Sequence, residues 1–140
     1  MVEVECISQV LWPSHCVQDT RGASLAKELD KSRIRRVFHK GTEKETDSYS
    51  TFFDNAHRRE TGLDAYLKAE QVTDVYLAGL ATDYCVKYSA LDAASLGYTT
   101  TVIIDGCRGI DLKPGDVQAA ITEMKQAGAR VIESKDIVAG

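Results

Sequence analysis

The sequence predicts an α/β fold with a mostly parallel sheet, and three observations carry that prediction. An apolar run at 75–80 gives way, just after Cys85, to helical spacing. A β-branched run at 99–104 gives way to a second helical pattern that begins at Pro114. A last short strand, Arg130 to Ile132, follows that helix. Strands alternating with helices indicate parallel pairing, because successive parallel strands need a crossover connection, usually a helix. A length of 140 residues fits one domain covering 1–140.

Taken in order, residues 1–11 mix a weak alternation, Val2-Glu3-Val4-Glu5, with Ile7, Val10 and Leu11. They read as an edge strand or a loose tail. Pro13 drives Trp12 toward extended geometry, so 12–16 is expected to be a loop. A short helix is expected over 24–29 and a strand over 34–38, the latter ending at His39-Lys40-Gly41. Residues 42–55 are polar around an aromatic knot of Tyr49, Phe52 and Phe53. That is long for a plain connection, and such loops are often walls or lids of sites. A helix over 63–71 places Leu63, Tyr66 and Leu67 on one face.

The run at 75–80 suits a strand buried on both faces. A helix over 84–96 follows, with Val86, Ala90, Ala93 and Ala94 at helical spacing. Thr82 and Asp83 are capping types at its start, and Gly97 is a stop signal. After the strand 99–104, residues 107–113 read as a loop. Pro114 opens the next helix at a position that tolerates proline. Its apolar face is Val117, Ala120, Ile121, Met124 and Ala127, and Gly128 ends it.

Composition narrows the function. A hydrophobic fraction of 44%, a charged fraction of 27% and a net charge of −4 are ordinary for a soluble globular protein. No basic cluster points to nucleic acid, and no apolar run approaches the roughly 18 residues of a membrane span. The first residues lack the pattern of a secretory signal. Cys6, Cys16, Cys85 and Cys107 form no Cys-x-x-Cys pair. They read as free thiols in a reducing compartment, the cytoplasm.

Chemistry gathers at Cys85. A cysteine in the first turn of a helix faces unpaired N–H groups and partial positive charge, which favour a thiolate. The alternative is a small buried apolar residue, the commonest fate of free cysteine. Lys40 follows the expected strand 34–38, and Cys85 follows the strand 75–80. In a parallel sheet both strand ends face the same side, where ligands bind. The two side chains are therefore expected in one crevice, with the ammonium favouring a thiolate able to attack a carbonyl carbon. His15 has the chemistry of a metal ligand, although one histidine in a loop does not make a site. Trp12 is either core packing or a plate for a flat ligand. His39 and His57 have little context, and His57 reads as a surface residue.

Four blocks then combine into a resemblance. They are Trp12-Pro13-Ser14-His15-Cys16-Val17-Gln18-Asp19-Thr20; Lys40-Gly41 with Asp47-Ser48-Tyr49-Ser50-Thr51-Phe52; Gly79-Leu80-Ala81-Thr82-Asp83-Tyr84-Cys85-Val86; and Asp105-Gly106-Cys107-Arg108-Gly109. In this order and spacing the chain resembles the nicotinamidases (pyrazinamidases) of the isochorismatase-like cysteine hydrolase superfamily, from Leu11 onward. The resemblance implies a three-layer isochorismatase-like fold and the hydrolysis of nicotinamide to nicotinate and ammonia, a step of NAD salvage. By that resemblance Cys85 is the nucleophile that forms a thioester, and Lys40 is the catalytic lysine. The backbone N–H groups of Ala81 and Cys85 form the oxyanion hole, and the Leu80–Ala81 peptide is cis. His15 is one ligand of a divalent metal (zinc, iron or manganese), which this chain would hold weakly or not at all. Trp12, Tyr49, Leu80 and Tyr84 line the substrate pocket. The other readings are a different small-amide or N-carbamoyl hydrolase of the superfamily, or a homologue that keeps the fold without the chemistry.

The family pattern also has an aspartate at the end of its first strand and an Asp-x-His pair of metal ligands, both upstream of the Trp-Pro-x-His block. Only eleven residues precede Trp12, with no Asp and no His among them. The chain therefore reads as N-terminally incomplete. It would be a fragment, a partner completed by a second chain or a homo-oligomer, or a degenerate homologue. Intact blocks favour the fragment. Missing central strands would leave apolar strand faces open.

Overall fold

The computed structural model describes residues 2–4, 7–10 and 12–137. Strands β1 (Val2–Val4) and β2 (Ile7–Gln9) pair antiparallel as a hairpin, Val2 opposite Gln9 and Val4 opposite Ile7. The main sheet holds β3 (Asp74–Leu80), β4 (Thr99–Arg108) and β5 (Arg130–Ile132) in the order β3-β4-β5, parallel throughout. Three helices alternate with them: α1 (Leu63–Ala69), α2 (Lys87–Ser95) and α3 (Asp116–Gln126). The expected parallel α/β order is the observed one. Among the described residues no helix is long and apolar enough to cross a membrane.

The core lies between this sheet and the helices. Val86 and Ala90 meet Met124 of α3 over Val102 and Cys107 of β4, with Leu77, Ile104, Ile121 and Val131 packed around them. Of the face predicted for α3, Ala120 and Met124 are buried. A second cluster joins Phe52, Ala93 and Tyr98 to Leu63 and Leu67 of α1. The Gly97 stop is as expected. Gly97 takes a positive φ of 93°. The Gly97 and Tyr98 amides donate to the carbonyls of Ala94 and Ala93, which satisfies groups left open at a helix C-terminus.

Four expectations are corrected. Residues 34–38 form no strand. No described strand lies beside them to complete a ladder, and an isolated strand has no partner for its backbone groups. Ile34 and Val37 are exposed, and the segment is held instead by Arg36 over the rings of Phe38 and Tyr66. Residues 24–29 are turns, not a helix, with a single 3-10 turn earlier at Arg21–Ala23. Six exposed residues do not repay helix nucleation. β3 is not buried on both faces: Tyr76 and Leu80 are exposed, Leu80 at 72%. β4 runs on to Arg108 through a register shift opposite Leu77–Gly79, absorbing the start of the expected loop.

The Tyr98 hydroxyl donates to Asp64 Oδ1 at 2.6 Å, joining the start of β4 to α1. Burial first, and the Asp64 contact second, push the Tyr98 phenol up to about 12 from its ordinary 10.0. A group with a raised native value stabilises fully below its ordinary value and loses that contribution as pH rises toward the native one. Tyr98→Phe should cost about 1–2 kcal/mol in urea unfolding at neutral pH. The wild-type protein should lose stability between pH 10.0 and about 12 more steeply than the variant does.

Candidate active site

The site is built on the turn from β3 into α2. The Leu80–Ala81 peptide is cis. The chain then makes a π-helical turn over Thr82–Val86 before α2 begins at Lys87, so the regular helix starts later than residue 84. The Ala81 carbonyl accepts from both Tyr84 N (3.1 Å) and Val86 N (3.0 Å). Thr82 and Val86 are buried, which anchors both ends of the turn. Half-buried Cys85 is left at its outer side. Such wide turns recur where a side chain must be presented.

Lys40 Nζ donates to Cys85 Sγ at 3.3 Å and to the Ser48 carbonyl at 2.7 Å. The pairing predicted from strand ends is present, but strand geometry does not produce it. The Ser48 carbonyl aims the ammonium, and Ser48 sits in the long loop 42–55, which is a wall of the site. That loop is pinned at several points. Thr51 N donates to Ser89 Oγ of α2 at 2.9 Å. Asp47 N donates to Gln9 Oε1 at 2.8 Å, and Gln9 Nε2 donates to the Glu45 carbonyl. Tyr49 N donates to Asn55 Oδ1 at 3.0 Å.

An aromatic array is built on the residue that precedes the thiol. Tyr84, the residue before Cys85, meets Trp12 edge-on at 4.9 Å and Tyr49 edge-on at 5.4 Å, and Tyr49 continues to Tyr88 at 5.5 Å. Burial, followed by the neighbouring Asp83 charge, raises the Tyr84 phenol above the usual tyrosine range. Tyr84 therefore stays neutral and acts as an apolar plate with a hydroxyl tip. Trp12, Tyr49 and Tyr84 are thus brought together. Leu80 projects outward.

His15 lies apart, on the wall of an open cleft of about 420 Å³ that it shares with Trp12, Gln9, Glu43, Glu45 and Asp47. Neither Cys85 nor Lys40 lines that cleft. His15 Nδ1 is 2.7 Å from the Pro13 carbonyl. A carbonyl only accepts, so Nδ1 donates, which in a neutral imidazole leaves the lone pair on Nε2. Among the described residues, however, no group of three or more His, Cys, Asp or Glu could hold a metal ion. His15 is a single candidate donor without a set, and the described residues do not fit a metal by themselves.

Residue types alone did not reveal Ser48, Ser89, Gln9 and Asn55, because their contribution is a backbone carbonyl or a long-range hydrogen bond. Asp83 was expected as a helix cap. Instead its carboxylate accepts from Ile110 N and Asp111 N, across the site.

The structure thus defines an α/β protein with a lysine-paired thiol on the turn after a parallel strand. The chain belongs to the isochorismatase domain family, whose model matches residues 6–136. It is 46% identical over 134 residues to the nicotinamidase of Escherichia coli (strain K12), covering 96% of this chain and 63% of that protein. A solved Acinetobacter baumanii nicotinamidase/pyrazinamidase superposes with a TM-score of 0.93 at 42% identity, covering 98% of this chain and 66% of that one. The Pyrococcus horikoshii pyrazinamidase, solved in complex with zinc, gives 0.73 at 35% identity over 88% of this chain and 63% of its own. The chain thus spans a little under two thirds of the length of these relatives.

The three described cysteines sit in different surroundings. Cys16 is exposed, and Cys107 is buried and hydrogen-bonded to the Ile103 carbonyl. Burial pushes the Cys107 thiol up, so it should resist iodoacetamide at neutral pH until the protein unfolds. Peptide-resolved mass spectrometry should show Cys85 labelled in the folded state. Lys40→Met should slow that labelling about tenfold and leave Cys16 unchanged.

Proposed function

We propose that this chain carries the cysteine site of an amidohydrolase that converts nicotinamide to nicotinate and ammonia, a step of NAD salvage, within one isochorismatase-like domain. The observation that carries the reading is the 3.3 Å contact of Lys40 Nζ with Cys85 Sγ. It is supported by the edge-on cluster of Trp12, Tyr84 and Tyr49, in which Tyr84 directly precedes Cys85, and by likeness to nicotinamidases over most of the chain. Free thiols fit a cytoplasmic setting.

In this reading the Cys85 thiolate adds to the carboxamide carbon. Negative charge moves to the carbonyl oxygen, where the backbone N–H groups of Ala81 and Cys85 would receive it. The tetrahedral adduct collapses, the C–N bond breaks, and the nitrogen leaves as ammonia with one added proton. Water then cleaves the thioester, giving nicotinate and restoring the thiol. Lys40 holds its charge against the thiolate before attack and against the developing oxyanion during it. Trp12, Tyr49 and Tyr84 hold the pyridine ring, with Leu80 at the edge of the pocket. Proton transfer to the leaving nitrogen requires an acid within reach. The family uses an aspartate, and no described residue is matched to it. By the family resemblance His15 would be one of the residues holding a divalent metal, which would supply a Lewis acid beside the pyridine ring.

Ammonia release from nicotinamide, assayed beside pyrazinamide and N-carbamoyl amides, tests the reading. A version extended to the relatives' length and supplied with zinc or manganese should favour nicotinamide. Cys85→Ala should lower kcat at least about 10³-fold, and Lys40→Met by a comparable factor. Activity indifferent to Cys85→Ala would remove the assignment.

A further inference from the structure

Asp83 is buried two residues before Cys85, yet the turn 82–86 has no side-chain cap. Its carboxylate reaches out of its own element. Oδ1 accepts from Ile110 N at 2.9 Å and Oδ2 from Asp111 N at 2.8 Å. Both oxygens thus grip consecutive amides of the segment that follows β4. A buried carboxylate without such bonds would be strongly unfavourable.

The gripped segment is itself fixed from the far side. Asp111 Oδ1 accepts from Gly115 N and Val117 N, each at 3.1 Å, tying the segment to the start of α3. Gly109 closes it. A Cβ there would lie 2.1 Å from Val117 Cγ2 and 3.4 Å from Asp83 Oδ1, so any larger residue must displace Val117 or the loop.

We propose that Asp83 is a positioning residue: its two-pronged grip on residues 110–111 braces the turn that holds Cys85 Sγ beside Lys40 Nζ. The inference rests on reading Cys85 as the nucleophile. Within the turn the Ala81 carbonyl accepts from Tyr84 N and Val86 N, and Lys87 N donates to the Thr82 and Tyr84 carbonyls; the Asp83 carboxylate ties the turn to residues 110–111. Without the brace it relaxes, and a small displacement carries the sulfur out of the ammonium's reach. Charge acts in the opposite sense, because an anion near a thiol disfavours the thiolate. Removing Asp83 therefore favours the thiolate if charge is its role and disfavours it if the brace is its role.

The pH profile of Cys85 alkylation by iodoacetamide separates the two, with circular dichroism confirming folded protein. In Asp83→Asn the midpoint of the profile should move to higher pH by about one unit, roughly a tenfold loss of neutral-pH reactivity. Gly109→Ala changes no charge and presses on the same loop, so it should move the midpoint the same way. Adding Val117→Ala to Gly109→Ala removes the colliding methyl group and should restore the native profile. A midpoint that moves to lower pH in Asp83→Asn overturns the brace, as does one unmoved in folded Gly109→Ala. If Asp83→Asn does not fold, the Gly109 pair decides alone. Alkylation needs no substrate, so failure of every version to hydrolyse nicotinamide would count against the proposed activity and leave this test intact.

Discussion

The site depends on one constraint: the chain must leave a parallel strand and enter a helix within a few residues while turning a thiol outward. Ala81 makes that turn compact by accepting two amides on one carbonyl, and the buried Thr82 and Val86 hold its ends. Everything else in the site is arranged around the position this gives Cys85. The Lys40 ammonium, the aromatic plates and the Asp83 grip all converge on residues 81–86.

The loop 42–55 is the second component, and its order comes from polar bonds together with the burial of Ser48, Tyr49, Ser50, Phe52 and Asp54. Lys40 is exposed, and a solvated ammonium near a thiol has little fixed geometry of its own. The Ser48 carbonyl supplies that geometry. The loop is then held from three directions: by Gln9 of β2, by Ser89 of α2 and by its own Asn55. Phe52 drives one end into the cluster with Ala93 and Tyr98. A long loop with few internal bonds would cost ordering entropy for each residue; here the anchors are spread along its length.

The aromatic array and the His15 cleft divide the binding surface. Trp12 belongs to both, packing edge-on against Tyr84 and lining the cleft beside His15. A flat ring held near the thiol and a donor atom held near His15 would therefore be bridged by Trp12. His15 stands there as a single imidazole, and no group of three or more candidate metal donors occurs among the described residues.

The sequence by itself determined the strand–helix alternation, the boundaries of β3, β5 and α3 to within a residue or two, and the Gly97 stop; it placed Lys40 beside Cys85 through a strand that does not form. The alternation, the boundaries and the stop are local features, since hydrophobic period and capping chemistry act over a few residues. The family blocks also carried Trp12, Tyr49, Tyr84 and the cis peptide. Tertiary structure decided the rest. Whether 34–38 becomes a strand depends on a neighbour to share its hydrogen bonds, which its own residues do not specify. Whether Asp83 caps a helix or grips residues 110–111 depends on a loop 27 and 28 positions away. The Ser48 carbonyl that aims Lys40 is a backbone atom every residue possesses. Contacts between distant backbone groups leave no mark on residue type, and for that reason only the folded chain reveals them.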